Sequence, residues 1–152
     1  MSEVVVDASA VLAVLFGEPE ADHVLRVIEA SEGSDAVTLL APEFLAFEVS
    51  NCVANARQKA VRLGIASPQD SLLGCPVERF AGLLRARIGL LGLTLEPFPL
   101  GAGFERTCEL AERFSLTTYD AMYLVFAERR GAKLLSLDRA LGAAASKLGI
   151  GL

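Results

Sequence analysis

Four carboxylates stand out because apolar residues surround them. Asp7 closes the run "EVVVD", Glu48 lies in "EFLAFEVSN", Asp120 in "LTTYDAMYL" and Asp138 in "LLSLDRA". A buried ionised carboxylate is costly unless something pairs with it, and no Lys or Arg lies within one turn of Asp120 in its segment. Several carboxylates around one crevice would repel each other, and a divalent cation relieves that repulsion. Oxygen-only ligands suit Mg²⁺ or Mn²⁺ rather than zinc. Such a pocket suits phosphodiester hydrolysis, because metal ions acidify a bound water and neutralise charge on the phosphate. Ser9 and Ser136 place hydroxyls two residues from Asp7 and Asp138, where they can hydrogen-bond a carboxylate or a metal-bound water.

Each acid also has a local explanation. Asp7 can cap a helix that begins near Ser9, and Asp138 can cap the last helix in the same way. Thr117 and Asp120 have capping-box spacing, with Asp120 reaching back to the cap. Glu48, Asn51 and Asn55 form a polar stripe that can face water. The joint pattern favours a shared site, because Asp7 and Asp138 both end strands, and ligands bind beyond the carboxyl ends of parallel strands.

The elements that must position these residues alternate. "EVVVDAS" reads as a strand, followed by short helices at "SAVLAVLFGE" and "EPEADHVLRVIEAS". "AVTLL" (36–40) is a second strand, and Pro42 is expected to open a long helix that stops at Gly64. After a loop, "CPVERFAGLLRARIGLLG" is a helix and "LTLEPFP" (93–99) a third strand. "GFERTCELAERFSL" and "TTYDAMYLVFAERRG" are helices. "AKLLSLD" (132–138) is a fourth strand, "DRALGAAASKLG" a last helix and "IGL" a short terminal strand. Short apolar strands between helices predict a mostly parallel sheet covered on both faces, a three-layer α/β/α domain across residues 1–152.

Composition narrows the function classes. With 53% hydrophobic and 22% charged residues, the chain is not disordered. Its apolar runs are too short to cross a bilayer, and its start lacks the positive region of a signal peptide, so a cytoplasmic location is expected. Cys52, Cys75 and Cys108 read as free thiols, and His23, the single His, as a surface residue. Net charge is −5, but residues 49–95 hold six bases against two acids. An acidic pocket needs its attraction for a nucleic acid at the rim. The candidates are Arg57, Lys59, Arg62, Arg85, Arg87 and Arg139.

Three blocks, "VVVDASAVLAVL", "EFLAFEVSNCVANA" and "TTYDAMYLVFAERRGAKLLSLDRAL", resemble the PIN domain, most closely the VapC-type ribonuclease toxins of prokaryotic toxin–antitoxin pairs. The resemblance implies a sheet ordered 3-2-1-4-5 and an RNA-cutting enzyme that uses Mg²⁺ or Mn²⁺. Its catalytic and metal-binding residues would be Asp7, Glu48, Asp120 and Asp138, with Asn51, Ser9 and Ser136 in support. It also implies a homodimer and a small antitoxin partner. The alternative is a catalytically silent scaffold of the same fold that binds RNA or a protein. A haloacid-dehalogenase-type phosphatase would need an acid where Ser9 stands. A receiver domain would need a lysine after its last strand, and Lys133 precedes it. If the acids share a site, Asp120→Asn is expected to stabilise the metal-free fold by relieving repulsion.

Overall fold

The computed structural model describes residues 2–31, 37–98 and 100–152. Its elements run β1 (Glu3–Val6), α1 (Ala8–Phe16), α2 (Ala21–Ser31), β2 (Thr38–Pro42), α3 (Leu45–Arg62), α4 (Val77–Gly89), β3 (Thr94–Glu96), α5 (Leu100–Phe114), α6 (Thr118–Arg130), β4 (Lys133–Leu135) and α7 (Arg139–Lys147). The four strands form a parallel sheet in the order β3-β2-β1-β4, with helices packed around it as a three-layer α/β/α fold. The expected fifth strand is a single parallel bridge from Gly151 to Leu134.

The sheet is central because its sequence is apolar on both faces. Val4, Val5 and Val6 of β1, Leu39, Leu40 and Ala41 of β2 and Leu134 and Leu135 of β4 are all buried, as parallel strands under helices require. Helix α6 buries Ala121 and the run from Tyr123 to Ala127 and packs on α5, α7, β1 and β4. It ends where Gly131 takes a left-handed conformation (φ 63°) and donates to the carbonyls of Ala127 and Glu128, a termination that suits glycine. Among the described residues, no helix is long and apolar enough to cross a membrane.

Register decides what meets at the strand ends. Val6 of β1 pairs with Leu135 of β4, and the Asp7 amide donates to the Leu135 carbonyl at 3.2 Å. Asp7 and Ser136 therefore emerge side by side. The chain passes from β1 to β2 on one side of the sheet and later enters β4 on the other. The carboxyl ends of β1 and β4 thus flank the topological switch point, where open α/β sheets form their crevice.

Three boundaries differ from expectation for physical reasons. Pro42 ends β2 rather than opening α3, and the next amide, Glu43, continues the ladder by donating to Glu96 at 2.9 Å; a residue without an N–H fits a strand end. Strand β4 stops at Leu135, not Asp138, because the Leu137 and Asp138 amides donate to the Ser9 hydroxyl instead of a neighbouring strand. The second helix begins at Ala21, after Pro19. Ala36 and Pro99, at the limits of two expected strands, lie outside the described residues.

Arg57 has a structural job. From α3 it donates to the carbonyls of Leu72 and Cys75, both at 2.7 Å, and its guanidinium lies 4.8 Å from the centre of the Phe80 ring. It ties the 64–76 connection and the start of α4 to α3. Arg57→Met, which keeps the apolar stem, is expected to cost on the order of 2 kcal/mol, the scale of hydrogen bonds from a charged donor. Thermal melting checks this, and an unchanged midpoint would show that the connection is held without it.

Candidate metal centre

Asp7 follows the last residue of β1 and is 4% exposed. Its Oδ1 accepts the Ala10 amide at 3.0 Å, so it caps α1. The Ser9 hydroxyl lies 2.7 and 2.9 Å from its two oxygens, and the Ser136 hydroxyl donates to Oδ2 at 2.8 Å. Ser9 also accepts the Leu137 and Asp138 amides, at 2.9 and 3.2 Å. One serine therefore joins the β1–α1 corner to the β4–α7 corner. Burial pushes the Asp7 carboxyl above its ordinary range; the Ala10, Ser9 and Ser136 hydrogen bonds oppose that, and the Asp138 charge adds to it.

Glu48 lies in the first turn of α3. Its Oε2 accepts the Tyr123 hydroxyl at 2.9 Å. Burial raises its pKa most, the Tyr123 bond lowers it, and the charges of Asp7 and Asp120 raise it further. Tyr123 is buried, and burial and the Glu48 charge push its pKa up, so its hydroxyl stays protonated and able to donate. Asp120 lies in the first turn of α6. The Thr117 hydroxyl accepts its amide at 3.1 Å and donates to its Oδ2 at 2.6 Å. Exposed Asp138 caps α7 by accepting the Leu141 amide at 2.9 Å.

All four acids thus stand at a helix N-cap or in a helix first turn. A helix N-terminus carries partial positive charge and favours an anion, so local structure helps retain these carboxylates without a side-chain cation. Among the described residues, no ion pair reaches any of the four. Their electrostatic neighbours run in sequence: Asp120 with Glu48, Glu48 with Asp7, Asp7 with Asp138.

The arrangement is pairwise rather than a finished cage. Among the described residues, no three Asp, Glu, His or Cys side chains stand close enough to hold an ion. Caps and the Tyr123 bond already engage these oxygens, and like charges spread apart. The donor chemistry nonetheless fits Mg²⁺ or Mn²⁺. Mg²⁺ in particular keeps several waters and often takes only one or two carboxylates besides substrate phosphate.

The remaining predicted residues divide. Asn51 lies one turn after Glu48, and the two help to line a cleft of about 670 Å³ between α3 and the start of α6. Phe44, Phe47, Cys52, Thr117, Tyr119 and Asp120 complete its lining. Lys59, Arg62, Arg85, Arg87 and Arg139 are exposed, whereas Arg57 is committed to the 64–76 connection. His23 is exposed, as expected. Sequence reasoning missed Tyr123. The signal was its spacing, three residues after Asp120 in "DAMY", which sets both on one helical face.

The PIN domain family model matches residues 4–147. A solved structure titled as the crystal structure of PAE2754 from Pyrobaculum aerophilum aligns with a TM-score of 0.55 and 26% identity, covering 94% of this chain and 79% of that one. No curated protein matches the chain.

Burial and the neighbouring charges bear on Asp7 and Glu48. With its pKa raised above the unfolded value, folded Asp7 holds a proton that the unfolded chain has already released. Stability therefore falls as pH rises from the ordinary carboxylate range through the raised value, and the penalty persists at neutral pH. Asp7→Asn keeps an oxygen to cap α1 and is expected to raise the melting midpoint of the metal-free protein at neutral pH. The gain should shrink on acidification. Melting curves in EDTA across pH check this; a destabilised variant would mean that the charge-assisted hydrogen bonds outweigh desolvation.

Proposed function

The chain belongs to the PIN domain family, whose members are typically nucleases, and on that premise we propose that it is an endoribonuclease dependent on Mg²⁺ or Mn²⁺, acting as the toxin of a VapC-type toxin–antitoxin pair. The carrying observation is the succession Asp120, Glu48, Asp7, Asp138 beside the switch point, without a side-chain cation among the described residues. The helix starts offset this negative charge only in part, and a metal ion would supply the rest against an approaching phosphate. The toxin assignment rests on the likeness of the "VVVDASAVLAVL", "EFLAFEVSN" and "TTYDAMYL…SLDRAL" blocks to that subgroup. Homodimer formation and inhibition by a small antitoxin belong to the same proposal.

When bound, the ion would neutralise charge on the phosphate and acidify a water. The protein's own groups position and release. Asp7 and Glu48 would hold the ion as carboxylates, each having released the proton that burial favours. Ser9 and Ser136 fix the Asp7 carboxylate, Tyr123 fixes Glu48, and Thr117 fixes Asp120. Asn51 offers a neutral polar group in the cleft. Exposed Lys59, Arg62, Arg85, Arg87 and Arg139 supply the cationic rim for the phosphate backbone, in a manner weakened by salt.

Two outcomes test this reading. RNA cleavage is expected with Mg²⁺ or Mn²⁺, to cease in EDTA and to fall by at least a hundredfold in Asp7→Asn and in Asp120→Asn, since a lost ligand removes several kcal/mol of charge stabilisation. Cleavage that survives in both variants would sink the site assignment, and a folded wild type that cuts no RNA would favour the silent scaffold. Tyr123→Phe removes only the hydroxyl that orients Glu48. It is expected to raise the Mn²⁺ concentration giving half-maximal thermal stabilisation by roughly tenfold or more; an unchanged titration would deny Tyr123 a positioning role.

A further inference from the structure

Two exposed aromatic side chains stand beside the acids. Phe47 is 79% exposed and Tyr119 62% exposed. Phe47 immediately precedes Glu48 and Tyr119 immediately precedes Asp120, and all four line the same cleft. One ring comes from α3 and the other from the start of α6, so they approach the cleft from its two walls. Tyr119 is braced from behind: its ring centre lies 6.3 Å from that of Phe44, which packs edge-on to buried Tyr123 at 5.1 Å and to Phe98 at 6.1 Å.

The lining determines what fits. It contains three aromatic rings, two carboxylates and the polar side chains of Asn51, Cys52 and Thr117, but no Lys or Arg. A phosphate unescorted by a cation is repelled from such a surface, and so is an acidic peptide. A neutral flat group with polar edges is not. The cleft volume of about 670 Å³ lies within the range of small-molecule sites and accommodates a nucleobase. A strand whose phosphate lies at the carboxylates carries its next base within reach of these rings. A base paired in a duplex has both faces covered and cannot enter.

We propose that Phe47 and Tyr119 form a base-stacking subsite beside the acidic cluster, which holds one unpaired nucleobase next to the scissile phosphate. This rests on the ribonuclease reading above. Stacking tolerates any base, because each has a π face. The rings therefore hold a base without reading its identity, and Asn51, which lines the same cleft, is the polar group placed to bias it.

The experiment compares a single-stranded RNA oligonucleotide with the same strand carrying one abasic residue beside the cleavage position, and with its duplex. Cleavage by the metal-loaded wild type and anisotropy binding in Ca²⁺ are both read. Phe47→Ala and Tyr119→Ala are expected to weaken binding of the intact strand about tenfold each, while Phe47→Tyr and Tyr119→Phe retain it. The abasic strand should bind the wild type as weakly as the intact strand binds the alanine variants, and those variants should no longer distinguish the two strands. The duplex should resist cleavage. Alanine variants that still discriminate the abasic strand, or a wild type that cuts both strands and the duplex equally, overturn the stacking subsite and leave the ribonuclease reading standing. Alanine variants that bind both strands normally but no longer self-associate in sedimentation overturn it in favour of a surface for a second copy. A folded wild type that neither binds nor cuts any of the three overturns both readings.

Discussion

The central constraint is a buried carboxylate without a cationic partner. Asp7 follows the end of an inner strand, β1, and is buried, and the surrounding structure satisfies its oxygens with an amide and two hydroxyls. Those donors come from both sides of the switch point: Ser9 from the β1–α1 corner, Ser136 from the end of β4. Ser9 in turn receives the amides that would otherwise have extended β4. The β1–β4 register sets the two exits side by side, and the length of β4 and the entry to α7 go with the hydrogen bonds that hold that one anion.

Capping and ligation are compatible roles for these acids. In a parallel α/β fold, each helix starts at the carboxyl end of the sheet, so its positive terminus faces the crevice. Asp7, Asp120 and Asp138 make cap or first-turn hydrogen bonds, and Glu48 occupies the first turn of α3. The helix starts orient the carboxylates and partly offset their charge. They leave Asp7 and Glu48 with raised proton affinity, so that folding stability is given up at the acidic cluster.

Tyr123 shows how the core reaches the site. Its ring is buried with the apolar face of α6, while its hydroxyl emerges at Glu48 on α3. Phe44 packs on that ring and on Tyr119. A change in core packing near Phe44 would therefore move both an acid and the aromatic wall of the cleft. Arg57 sits farther along α3 and is structural, tying down a connection with few buried residues of its own.

The sequence by itself determined the class of fold and the inventory of acids. Apolar strands of period too short for a helix alternate with helical stripes, and that alternation requires a covered parallel sheet. Strand-terminal aspartates and the Thr117–Asp120 spacing were legible because caps are local signals. Tertiary structure alone decided the rest. The β1–β4 register set Asp7 against Ser136, more than a hundred residues away, and no local pattern encodes such a pairing. Pro42 was read as a helix opener because both a helix start and a strand end tolerate a missing N–H; the β3 partner decided between them. Arg57 looked like a free cation until the 64–76 connection was seen folded over it. Tyr123 belongs to the core, and only the approach of α3 to α6 gives its hydroxyl a carboxylate to hold.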